Sequence, residues 1–150
     1  MKLAEALILR ADLQTRLEEL GSRLMMNARV QEGERPAENP EELLRQVEEV
    51  SARLENLITR INLTNASTFV KGDSVTALLA RRACITKRIS ILRSFLDNAS
   101  STVMRGGRME VKVYSTVPVA QLRKQTDRLS EELRVLDTTI QSVNWTTELD

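Results

Sequence analysis

One stretch near the C-terminus constrains the fold more than any other. Val119, Leu122, Thr126, Leu129, Leu133, Leu136, Ile140 and Val143 recur at alternating spacings of three and four residues. This a/d pattern runs over more than three heptads, broken only by Thr126, and predicts an amphipathic helix. A helix of about 25 residues is roughly 37 Å long. Its apolar edge needs partner helices of similar length.

The rest of the chain supplies them. Leu13, Leu17, Leu20 and Leu24 make a second seam, extended backwards through Ala6 and Leu3 and widened by Leu7, Ile8 and Ala11. A polar loop, QEGERPAENP, follows. Asn39, Pro40 and Glu42 then fall at N-cap, N1 and N3 of a helix. Its seam is Leu43, Val47, Val50, Leu54, Leu57 and Ile61. Leu78, Ile85, Ile89, Leu92 and Leu96 mark a further helix, with Arg82 standing where an apolar residue is expected. Helices are therefore predicted at about 2–29, 40–65, 75–99 and 117–143. Few turn formers, with many Leu, Ala, Arg and Glu, favour the same conclusion. Two segments have β character, about 68–70 and 109–115, and their simplest pairing is with each other. Lys71-Gly72-Asp73-Ser74 reads as a turn and cap. The expected fold is all-α, a single domain over 1–150. Its four long helices form a bundle or coiled-coil-like arrangement, antiparallel or as two paired hairpins, with a small β-hairpin-like or arm segment.

Composition removes many chemistries. The 150 residues contain no histidine and one cysteine. Ser-His and Cys-His nucleophile pairs, His-ligated metals, intramolecular disulfides and CxxC zinc sites are thereby excluded. No Walker loop, GxSxG elbow or GxGxxG stretch occurs. Asp127, Glu131, Glu132 and Asp137 are the carboxylates a metal would need. Carboxylate-bridged bundles also use histidine, and Glu131 and Glu132 lie off the seam, so neither a metal nor a cofactor is expected. Cys84, beside a seam, reads as a small core residue. Polar residues interrupt the N-terminal apolar run, and no run reaches membrane-spanning length, so a cytoplasmic protein is expected. The N-x-S/T sites at Asn62, Asn65, Asn98 and Asn144 read as turn and cap residues.

Charge is unevenly spread although the total is only +1. Residues 71–112 hold nine basic and three acidic side chains, whereas 31–60 hold four basic and eight acidic ones. A basic helix can track phosphates. It can equally complement an acidic neighbour helix, and the scarcity of aromatic stacking residues with a total charge near zero favours that second reading. Arg82 is read as pairing with a buried Glu or Asp or snorkelling to a helix end, in preference to binding an anion. Trp145, the only tryptophan, reads as a packing anchor in its own subunit or a neighbour. Arg81, Arg82, Arg105, Arg108, Tyr114 and Trp145 are the candidate interface or anion contacts.

The runs KLAEALILRADLQTRLEEL, NARVQEGERPAENPEELL, ITRINLTNAST, LARR and LDTTIQSVNWTTEL resemble a bacterial all-helical family of unknown function. Some of its members carry the label septicolysin. The resemblance covers nearly the whole chain and implies an all-α fold and homo-oligomers, with no established activity. Arg81, Arg82, Asn62, Asn65, Asn144 and Trp145 match its recurrent polar and aromatic positions. The label alone suggests cytolysin-like activity. The expected function is a self-assembling structural or interaction protein without catalytic activity; the alternative is nucleic-acid or anion binding through the basic third helix and the 105–112 arm. The expected partner is a second copy of the chain, with nucleic acid not favoured and any small-molecule ligand unknown.

Overall fold

A computed structural model describes residues 1–101 and 111–150. Four long helices carry the described chain: α1 (Leu3–Met26), α2 (Pro40–Ser67), α3 (Val75–Ser100) and α4 (Val119–Thr146). Two short strands, β1 (Phe69–Val70) and β2 (Asp73–Ser74), separate α2 from α3. The helices begin where the sequence caps them. Asn39 accepts the Glu41 N–H at 3.0 Å, with Pro40 in the first turn of α2. Glu5 reaches back to the Lys2 N–H at 2.7 Å at the start of α1. The Leu122 N–H donates to the Pro118 carbonyl at 3.1 Å and opens α4.

Helix α1 stops three residues before the expected end. There the Asn27 N–H turns back onto the Arg23 and Leu24 carbonyls, and its side chain binds both Arg23 and Glu38. The β pairing also differs from the expected one. Phe69 faces Ser74 and Val70 faces Asp73 in an antiparallel pair. Residues 111–115 form no strand, and 109–110 lie outside the described residues. The cause is local. Lys71 and Gly72 have φ of 51° and 94°, the two left-handed positions of a type I′ turn, which closes a hairpin before any distant strand is needed.

The chain divides into two compact units, Met1–Val75 with Gln141–Asp150, and Thr76–Ile140. In the first, α1 and α2 form a helical hairpin. Leu3, Ala6, Leu13, Leu57, Ile61 and Leu149 make its buried cluster, with Leu7, Leu9, Val50 and Leu54 packed against it. In the second, Arg82 meets Asp137 while Arg93 meets Ser130, so α3 and the α4 seam run antiparallel. Leu78, Ile85, Ile89 and Leu96 of α3 are buried there, as are Thr126, Leu136 and Ile140 of α4. Thr126 breaks the apolar seam at little cost, because its hydroxyl donates to the Leu122 carbonyl at 2.8 Å. Among the described residues, no helix is long and apolar enough to cross a membrane.

Candidate interaction surface

In the second unit, α3 and α4 leave a groove of about 530 Å³ between them. Ile91 and Leu92 of α3 and Leu129 of α4 give it apolar walls, while Arg88, Arg128, Gln125 and Glu132 supply its polar groups. The groove follows from helix geometry. Ile85, Ile89, Leu92 and Leu96 follow the packed seam, whereas Arg88, Ile91 and Phe95 step by three and four along a neighbouring line that faces outward. Ile91 is 58% exposed and Phe95 42%. A lone exposed apolar side chain is ordinary, but two at i and i+4 beside a groove form a patch. The sequence signalled this only weakly, since Ile91 and Phe95 lie off the heptad pattern.

The predicted residues take separate places. Arg82 is half-buried and pairs with the Asp137 carboxylate at 3.6 Å, though that side chain is 48% exposed and not the buried partner expected. Arg81 is exposed on the same helix and is engaged in contacts of its own. Tyr114 is exposed in the segment before α4. Arg105 and Arg108 lie outside the described residues. Cys84 is exposed, not a core residue, because α3 buries Ile85 and turns the preceding position toward solvent. Asn62, Asn65, Asn98 and Asn144 all lie within helices, so none is a turn residue. Asn65 and Asn144 are buried. Among the described residues, the acidic side chains form no group of three or more placed to hold a metal.

Trp145 belongs to the first unit and is 58% exposed, so it does not anchor the tail there. Backbone pairing and Leu149 do that instead. The Leu3 N–H donates to the Thr147 carbonyl at 2.9 Å and the Leu149 N–H to the Met1 carbonyl at 2.8 Å. Thr64, almost fully buried, accepts the Asp150 N–H at 3.2 Å. Lys2 Nζ lies 2.6 Å from Glu148. Lys2, joined by the Met1 amino group, holds the Glu148 carboxyl below the usual carboxylate range. The Arg23 guanidinium does the same to Glu38, with Nε donating at 3.0 Å, and Arg45 does it to Glu42.

Residues 10–149 match a family model described as a family of unknown function (DUF6847). The chain belongs to this family. The unknown-function, all-helical resemblance read from the sequence is thus met, though the family's description does not carry the septicolysin label. The DUF6847 chain is also similar to a solved structure, a functionally unknown conserved protein from Corynebacterium diphtheriae. The two are 40% identical with a TM-score of 0.93, and the match covers 100% of this chain and 99% of the other. No curated protein matches.

Proposed function

We propose that this is a self-assembling helical protein of the cytoplasm, structural or adaptor-like and without catalytic activity. The observation that carries the reading is the outward apolar line of α3, Ile91 and Phe95 at the edge of a groove walled by Leu92 and Leu129. Two-helix packing covers one stripe of each helix, and a second apolar line that remains outside suits a protein partner. The lack of histidine in the whole sequence argues against the commonest general base. Sedimentation velocity across micromolar concentrations tests assembly, with a species heavier than the 17.0 kDa chain expected. A monomer at every concentration would reject it.

The second reading is anion or nucleic-acid binding. It is supported by Arg88 and Arg128 on the groove and by twelve basic against six acidic residues in Thr76–Ile140. It predicts binding to duplex or single-stranded nucleic acid that weakens steeply as salt rises. No binding at low salt would remove it.

A further inference from the structure

The two compact units divide the charge between them. Thr76–Ile140 carries twelve basic and six acidic residues, a net +6. Met1–Val75 with Gln141–Asp150 carries ten basic and fifteen acidic residues, a net −5. A near-neutral chain therefore consists of two oppositely charged parts.

The charge is also patterned. On α3, Cys84, Arg88, Ile91 and Phe95 are all exposed at spacings of four, three and four. On α2, Glu41, Leu44, Glu48, Ser51 and Glu55 are all exposed at three, four, three and four. Each set lies on one helical face, so each helix offers solvent a line that mixes charge with apolar groups. The α3 line is basic and the α2 line acidic. Leu44, 57% exposed, sits between Glu41 and Glu48 as a single apolar knob. Arg81 continues the α3 line but already has contacts of its own, so the pairing is assigned without it.

We propose that the α3–α4 groove of one copy receives the acidic face of α2 from a second copy. Leu44 enters against Ile91, Leu92 and Leu129, and the glutamates of α2 meet Arg88 and Arg128. This is the helix-in-groove mode, with apolar contact at the centre and charge at the rim. It rests on the self-assembly reading and specifies it. The contact joins two different surfaces, so repeating it closes a reciprocal pair or builds rings or open chains.

A charge exchange tests it. One variant carries Arg88→Glu with Arg128→Glu, which makes the groove acidic and lowers the net charge of Thr76–Ile140 from +6 to +2. The other carries Glu48→Lys with Glu55→Lys, which relieves the acidic line. Circular dichroism first establishes that both keep wild-type helix content. Sedimentation velocity is then run on each alone, on their mixture and on wild type at low and high salt. Wild-type association is expected to weaken with salt. Each variant alone should associate on the order of tenfold or more weakly, since like charges then face each other. The mixture should recover, because the acidic groove of one variant fits the basic α2 of the other. Reaction of Cys84, exposed on the same α3 line, with a thiol reagent should slow as wild type assembles. Association indifferent to salt and to both variants would overturn the docking mode while leaving self-assembly standing. A wild-type monomer would overturn both. Lowered melting temperature in each variant, with no recovery on mixing, would place the charge pairing inside one chain and overturn the proposal.

Discussion

At the scale of the residue, several buried polar side chains hold the first unit together. Thr64 is 1% exposed, and its hydroxyl is where the chain's last N–H finds a partner. Replacing Thr64 by Val keeps the shape and removes that acceptor, which is expected to lower stability by about 1 kcal/mol in urea unfolding. Thr64→Ser, which keeps the hydroxyl, should lose less of that bond. Asn27 links two elements: its amide donates to the Arg23 carbonyl at 2.9 Å and its oxygen accepts the Glu38 N–H at 2.9 Å. Asn27→Ala leaves the Glu38 N–H unpaired, while the Arg23 carbonyl keeps the backbone N–H of residue 27, and should cost about 1–3 kcal/mol by the same measurement. Gly72 needs its φ of 94° to close the β1–β2 turn. Gly72→Ala is expected to destabilise by about 1 kcal/mol, because a Cβ disfavours that conformation.

Among the elements, α4 makes the sharpest comparison. Leu136 is buried and its neighbour Val135 faces solvent. Leu136→Ala should cost about 2–5 kcal/mol, while Val135→Ala should stay within about 0.5 kcal/mol, both read from thermal or urea unfolding. The heptad pattern had distinguished these two positions before any coordinates. It likewise placed Leu20, Leu43, Ile61, Ile89 and Ile140 in cores, because burial of one stripe dictates the spacing that remains in the sequence. What the pattern could not give was pairing. The partner of Val70 depends on backbone torsions at Lys71 and Gly72, and hydrophobic periodicity carries no trace of those. Cys84 was misplaced for a related reason: residue type favours burial, but its angular position leaves it exposed. The groove was the least legible feature. Its residues come from two helices, and only their side-by-side packing brings Arg88 and Arg128 to one surface.

For the whole molecule, the titrating groups predict the pH response. Glu38, Glu42 and Glu148 each have a folded pKa below the ordinary value of 4.5. A carboxyl that ionises more readily when folded contributes stability that is complete above its unfolded value. That contribution disappears as pH falls through the lowered folded value. Melting temperature should therefore decline below about pH 4.5 and stay nearly flat between about pH 5.5 and 8, where histidine would titrate if the chain had any. Glu148 is exposed and Glu38 and Glu42 are half-buried, all open enough to solvent that high salt should flatten the acid limb. A steep loss between pH 6 and 7 would contradict the assignment of these carboxyls as the sensitive groups.

The meeting of Lys2 with Glu148, strand-like across the ends of the chain, has a practical corollary. Because the Met1 carbonyl and the Leu149 N–H are already hydrogen-bonded, a short peptide joining first residue to last would cross little space. Fresh ends could then be opened in the exposed turn around Gly33, giving a permuted protein that keeps both helical hairpins. Fluorophores attached at the two original ends would sit almost on top of each other, so their mutual quenching would report the seating of the tail without touching either core.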